Sequence, residues 1–120
     1  MSSTSKNVHV VTSANFEAEV LRAPLPVLVD FTATWCGPCK ALNRVVDQLA
    51  DETVGSLRVV TVDVDDAPDI AARYGVRAVP TVIGFVRGEK TGQRLGVASK
   101  DKLLELVPGA RAVVAGHPAQ

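Results

Sequence analysis

The sequence Trp35-Cys36-Gly37-Pro38-Cys39-Lys40 contains the only two cysteines of this 120-residue chain, which are separated by two residues and follow an apolar run. A Cys-x-x-Cys pair at the start of a helix can close a small disulfide ring. The free N–H groups and the positive dipole end of such a helix favour the first sulfur as a thiolate. The hexapeptide therefore predicts a dithiol/disulfide redox site.

Length and composition predict a single domain, because 120 residues with 47% hydrophobic side chains can build a substantial core. We expect this domain to span residues 1–107, with a polar N-terminal extension at 1–7. Residues 108–120 are rich in Ala, Gly and Pro and are expected to form a flexible tail.

The charge balance gives little reason to expect nucleic acid or an anionic membrane as a partner. Thirteen Lys and Arg residues match thirteen Asp and Glu residues, and neither sign forms a long block. Residues 1–7 lack the apolar stretch of a secretory signal, and no later segment has the length needed to span a bilayer. We therefore expect a cytoplasmic protein, and we expect it to be a monomer.

Short apolar runs alternate with helical patterns along the chain. Apolar runs predict strands at 8–11, 27–31, 57–64 and 80–86, and residues 91–95 are expected to pair with the last of these across a turn as an antiparallel hairpin. Helical patterns predict a helix capped by Ser13, a second from Pro38 to Ala50, a third from Pro68 to about Ala72, and a last from Ser99 to Val107. This order implies an α/β domain whose mixed sheet is covered on both faces by helices.

Three segments closely resemble the thioredoxin family of the bacterial type: residues 29–40, which end in Trp-Cys-Gly-Pro-Cys-Lys, residues 74–81, and residues 87–89. The resemblance runs from about Val8 to Val107. It implies the thioredoxin fold, with a central mixed five-stranded sheet, and the function of a general protein-disulfide reductase. It also implies that no cofactor is bound, because electrons come from NADPH through a separate thioredoxin reductase. The expected partners are that reductase and disulfide-containing target proteins.

The resemblance assigns a catalytic role to three residues and a tuning role to two. Cys36 resembles the attacking thiolate and Cys39 the resolving thiol, while Gly37 lets a substrate backbone come close and Pro38 stiffens the ring. Asp30 interrupts an apolar strand that should be buried, and burial without a cationic partner raises the pKa of a carboxyl group. By resemblance, Asp30 accepts the proton of Cys39 when that thiol attacks.

The resemblance also predicts a surface that binds target proteins. Val79-Pro80 matches the family's cis-proline, which faces the cysteines and leaves backbone groups free to pair with an extended substrate strand. An apolar rim surrounds this position in the family. The matching residues are Trp35, Val64, Ala78, Val79, Leu95, Gly96 and Val97. We expect specificity to come from shape more than from charge.

Two alternative metal sites have weaker support in the sequence. A zinc site normally needs four ligands, and beyond the two cysteines the chain offers only His9 and His117, which lie far apart in sequence. The acidic cluster at 63–66 is better explained as a turn and helix cap before Pro68 than as a cation site. We therefore expect no metal.

Three positions depart from the common bacterial pattern. Thr61 stands where a lysine near the buried acid is frequent, and Thr32 stands where a tryptophan is common. Arg44 replaces a proline that kinks the helix in many relatives, so this helix should be straighter. These changes concern fine tuning of the site and leave the predicted reaction class unchanged.

Two other functions remain open at this point. One is a non-catalytic binding module that keeps the fold as a subunit or processivity factor, although the intact cysteines and Asp30 count against it. The other is a redox partner dedicated to one target, such as a peroxidase or a reductase of a small oxidised compound. Sequence does not distinguish that partner from a generalist.

Overall fold

Five strands form one mixed sheet in the computed structural model, which describes residues 5–108. The strands are β1 (Val8–Val10), β2 (Val27–Thr32), β3 (Arg58–Asp63), β4 (Thr81–Val86) and β5 (Glu89–Leu95). Their order across the sheet is β1-β3-β2-β4-β5. The first three strands are mutually parallel, while β4 runs antiparallel to β2 and β5 antiparallel to β4. The expected mixed five-stranded sheet is confirmed.

Four helical segments cover the sheet. They are a π-helical segment (Glu17–Leu21), α1 (Gly37–Glu52), α2 (Pro68–Arg73) and α3 (Lys100–Leu104). Side chains of α1 and α3 share one apolar cluster with one face of the sheet. The π-helical segment and α2 contribute to a second cluster on the opposite face. The prediction of helices on both faces is therefore confirmed.

The predicted helix termini are partly wrong. Ser13 does not cap the first helical segment, because its hydroxyl donates to the carboxylate of Asp69 instead. Ser99 does cap α3, since its side chain accepts a hydrogen bond from the Lys102 N–H. Regular helix then ends at Leu104, three residues earlier than expected, and turns continue the chain.

The central strand β2 is buried along its whole length, and its side chains alternate between the two faces. Leu28 belongs to the cluster beneath α1 and α3, whereas Val29 and Phe31 belong to the cluster beneath α2. By this alternation Asp30 and Thr32 share the face of Leu28. The acid therefore lies on the side of the sheet that α1 covers.

Both ends of the described chain are attached to the core. Ser5 Oγ and Asn7 Nδ2 donate to Asp51 Oδ1 of α1 at 2.6 and 2.9 Å. At the other end, the backbone of Leu106 crosses so close to Gly84 that a Cβ there would lie 2.8 Å from the Leu106 carbonyl carbon. The predicted tail lies outside the described residues from position 109 onward, as does His117.

Candidate redox site

The two cysteines lie where the chain leaves β2 and enters α1. Cys36 is the N-cap residue of α1, and it forms a disulfide with Cys39 across a Cα–Cα distance of 5.3 Å. The Cys39 N–H points at Cys36 Sγ, 3.2 Å away. Pro38 occupies the first turn, where its missing N–H would have had no helical partner. One of the unpaired N–H groups at the helix start is thus directed at the first sulfur.

Both cysteines are buried in the oxidised form, with 4% of Cys36 and 1% of Cys39 exposed. Cys36 lies at the helix start, whereas Cys39 lies three residues further along, within the first turn of α1.

The segment before β4 packs against the first sulfur. The Val79–Pro80 peptide bond is cis, as expected, and Val79 O lies 3.7 Å from Cys36 Sγ. The hydroxyl of Thr81 donates to Ala78 O at 2.7 Å, and the Gly96 N–H donates to Pro80 O at 2.8 Å. These two hydrogen bonds hold the segment in place beside the disulfide.

The expected apolar rim is largely assembled around this segment. Trp35, Leu95 and Val97 are exposed by 69%, 66% and 50%, which is unusual for large apolar side chains. Val64 and Val79 pack against the two cysteines. A shallow pocket beside them is lined by Trp35, Val64, Val76, Arg77, Ala78 and Val79. Val76 and Arg77 lie in the matching segment 74–81, but they were not among the predicted rim residues.

A hydrogen bond that the sequence did not indicate fixes the indole. Trp35 Nε1 donates to Asp65 Oδ2 at 2.8 Å, across a separation of 30 residues. Asp65 belongs to the acidic cluster, where its own N–H donates to Asp63 Oδ1 at 2.8 Å and forms the expected turn. The expected cap is wrong, because α2 begins after Ala67 with no side-chain cap. Within residues 5–108, no group of three or more His, Cys, Asp or Glu side chains could hold a metal ion.

Asp30 is the most unusual ionisable group of the site. It is 2% exposed, and neither carboxyl oxygen has a hydrogen-bond partner among the described residues. Burial raises the pKa of Asp30 from 3.8 to about 7, and the nearby Asp47 carboxylate adds to the increase. The expected direction of the pKa shift is confirmed. A carboxyl group with this pKa exchanges protons at neutral pH.

Chain topology places Asp30 beneath the helix that carries the second cysteine. The chain runs up β2, turns through residues 33–36, and returns along α1 over the same face of the sheet. The first buried residue of α1 is Cys39, and the last inward positions of β2 on the face that α1 covers are Thr32 and Asp30. The site thus combines two sulfurs at the start of α1 with a buried carboxyl group on the face of the sheet beneath that helix.

This combination defines a class of protein. A reversible disulfide at a helix start, a cis-proline segment against its first sulfur, and an exposed apolar rim are the parts of a dithiol/disulfide oxidoreductase that acts on protein disulfides.

Comparison with known proteins gives the family. The thioredoxin family model matches residues 7–108, and the chain belongs to the thioredoxin family. The thioredoxin of Rickettsia felis is 41% identical over 97 residues, which cover 81% of this chain and 92% of the relative. The thioredoxin of Pyropia yezoensis is 46% identical over 97 residues, covering 81% and 91%. Thioredoxin C-2 of Corynebacterium nephridii is 42% identical over 107 residues, covering 89% and 96%. The chain's activity is accordingly protein-disulfide oxidoreduction by dithiol/disulfide exchange.

None of the helices within residues 5–108 is both long enough and apolar enough to cross a membrane.

Proposed function

We propose that this chain is a general protein-disulfide reductase of the cytoplasm, recharged by a thioredoxin reductase with electrons from NADPH. The observation that carries the proposal is the disulfide of Cys36 and Cys39 at the start of α1, beside the cis-Pro80 segment and an exposed apolar rim. In this proposal residues 1–107 act as one monomeric domain. No bound cofactor, metal, nucleic acid or membrane takes part.

Each sulfur has its own step in the proposed reaction. The Cys36 thiolate attacks a target disulfide, so that a Cys36–target bond forms and one target thiolate leaves. Cys39 then gives its proton to Asp30 and attacks Cys36 Sγ. The Cys36–Cys39 bond closes and the second target thiolate leaves. The target gains two electrons, and the chain is left oxidised until the reductase returns two electrons and two protons.

The buried Asp30 favours a catalytic protein over a non-catalytic binding module. A pKa of about 7 suits a group that must both accept and release a proton at neutral pH. A binding module would gain nothing from a buried carboxyl group with unpaired oxygens, because such a group costs stability. The buried carboxyl group therefore favours the reductase over the non-catalytic alternative.

The rim supports a generalist that recognises extended, apolar target segments. The backbone at Val79-Pro80 can pair with an extended target strand, while Trp35, Leu95 and Val97 offer apolar surface around the disulfide. Arg77 in the pocket next to Trp35 adds one positive charge to this surface. Gly37, which has open space where a Cβ would stand, leaves room for the approaching backbone.

Reduction of insulin disulfides with NADPH and a purified thioredoxin reductase tests the proposal. Wild type should turn over, whereas Cys36→Ser and a mixture lacking the reductase should not. Turnover with dithiothreitol but not with the reductase would mean a different electron donor. No turnover with either reductant would refute the reductase and leave the binding module. A panel of unrelated disulfide proteins separates a generalist from a partner dedicated to one target.

A further inference from the structure

Three buried polar residues form one group on the sheet beneath α1. Within residues 5–108, the buried side-chain oxygens that lack a hydrogen-bond partner are both carboxyl oxygens of Asp30 and the hydroxyls of Thr32 and Thr61. These residues are exposed by 2%, 3% and 5%. Because buried polar groups are normally hydrogen-bonded, their occurrence side by side needs an explanation.

The sheet register brings the two hydroxyls to the acid. Thr61 is the direct partner of Asp30 in the parallel pairing of β2 and β3, and Thr32 is the next residue of β2 on the same face. Neighbouring strands lie about 4.8 Å apart. One carboxyl group and one hydroxyl can close that gap with a hydrogen bond of about 2.7 Å.

The other strand positions around Asp30 provide no donor. On its second side Asp30 pairs with Val82 of β4, and the preceding inward residue of β2 is Leu28. Leu103 and Leu104 of α3 pack into the same cluster. Among the strand side chains that adjoin the carboxyl group on this face, only the two threonines can donate a hydrogen bond.

We propose that Thr61 and Thr32 are positioning residues for the exchange reaction, whose hydroxyls hydrogen-bond the Asp30 carboxyl group and hold it toward Cys39. This inference rests on the proposed function, in which Asp30 accepts the Cys39 proton. In the oxidised structure neither hydroxyl is bonded to the carboxyl group, so the proposal requires each to turn toward it by rotation about the Cα–Cβ bond.

A hydroxyl suits this position for a chemical reason. It donates to a carboxylate, and it accepts from a protonated carboxyl group, so both states of Asp30 keep a partner during proton transfer. A lysine ammonium can only donate, and it would therefore favour the anion alone. The threonines thus support a carboxyl group that changes its protonation state twice in each cycle.

The charges around Asp30 must stay constant in any test. In α1, the Asp47 carboxylate raises the pKa of Asp30. Cys39 is bonded to Cys36 in the oxidised form and does not titrate there. In β3, Asp63 lies two residues beyond Thr61 and accepts a hydrogen bond from the Asp65 N–H. Lys100 of α3 lies at the surface, where it binds Glu52 at 2.8 Å. None of these groups is altered by a substitution at the threonines.

The test compares Thr61→Val and Thr32→Val with wild type. Valine keeps the shape of threonine and removes only one hydroxyl, so both variants should fold. A hydrogen bond donated to the charged carboxylate is stronger than one accepted from the neutral acid, so its loss should raise the Asp30 midpoint by about one unit in an NMR titration of its carboxyl carbon. The pH midpoint of exchange with a peptide disulfide should rise equally. At pH 7 the ionised fraction of Asp30, and with it the rate of exchange with the peptide disulfide, should fall about fivefold.

Two controls make the result specific. Thr61→Ser keeps the hydroxyl and should restore the wild-type midpoint. Thr53→Val removes another buried threonine hydroxyl, which donates to Leu49 O at 2.7 Å at the far end of α1, and should leave the midpoint unchanged. An unchanged midpoint in both Thr61→Val and Thr32→Val would overturn the inference. Wild-type failure in the insulin assay would instead refute the proposed function, because the carboxyl titration does not depend on turnover.

Discussion

Replacing Asp30 by asparagine should stabilise the oxidised protein strongly at pH 8 and very little at pH 4. The folded protein holds the Asp30 proton up to about pH 7, whereas the unfolded chain releases it near pH 3.8. Between these two values the folded state binds more protons than the unfolded state, so stability falls as pH rises. Below the lower value both states are protonated and Asp30 carries no electrostatic penalty. Above the higher value the whole loss remains.

The size of the effect follows from the pKa difference. The difference is about 3 units, and each unit corresponds to about 1.4 kcal/mol, which gives a penalty of about 4 kcal/mol at pH 8. Asparagine is neutral at every pH and nearly the same shape as the protonated acid. Asp30→Asn should therefore match wild type within about 1 kcal/mol at pH 4 and exceed it by about 4 kcal/mol at pH 8. It should also slow disulfide exchange, because the proton acceptor for Cys39 is gone.

Denaturant unfolding of the oxidised proteins at both pH values measures this difference. Asp51→Asn is the matched control, since Asp51 is an exposed acid whose pKa is lowered by hydrogen bonds from Ser5 and Asn7. The hydrogen-bonded Asp51 carboxylate stabilises the folded protein above its unfolded pKa, and this stabilisation is lost as pH falls. Asp51→Asn should therefore be less stable than wild type at pH 8 and equal to wild type at low pH. Equal stabilisation by Asp30→Asn at the two pH values would refute the reasoning, because the pH-dependent term would then be absent.

Two further predictions concern the sulfurs and the packing of the C-terminal segment. Cys39→Ser should accumulate a mixed disulfide between Cys36 and target proteins on non-reducing gels, whereas Cys36→Ser should trap none; equal trapping by both would overturn their assigned order. Gly84→Ala should cost about 1–3 kcal/mol in thermal or denaturant unfolding, because the new methyl group would overlap the backbone of Leu106. A Cβ at Gly37 would meet open space, so Gly37→Ala should show no such loss of stability in the same measurement.

Much of the architecture was predictable because it depends on local signals. Four apolar runs became β1 to β4, and the predicted second arm of the hairpin became β5. Pro38 marked the first turn of α1, since a missing N–H is harmless there. The central position of Asp30 was predictable too, because an acid within an apolar run has to be buried with its neighbours. The raised pKa follows from that burial alone.

The features that sequence missed depend on partners far along the chain. The hydroxyl of Ser13 donates a hydrogen bond to Asp69, 56 residues away, and therefore does not cap the helix. The indole of Trp35 donates a hydrogen bond to Asp65, which the sequence predicted only as part of a local turn. The resemblance already placed Thr61 near the buried acid, but its direct pairing with Asp30 needs the register of β2 and β3, which a one-residue slip would change completely. Local patterns specify elements, whereas such contacts depend on how the elements are assembled.

The hydrogen bond from Trp35 to Asp65 has an optical consequence. Trp35 is the single tryptophan of the chain, and it is held beside the disulfide at a fixed position while 69% of its surface meets solvent. A disulfide accepts an electron from a nearby excited indole and quenches its emission, whereas two thiols do so far less. The intensity of tryptophan fluorescence should therefore increase when the disulfide is reduced. Because no second tryptophan contributes emission, the whole signal comes from Trp35. The protein can report its own oxidation state in real time, without a dye or a coupled enzyme.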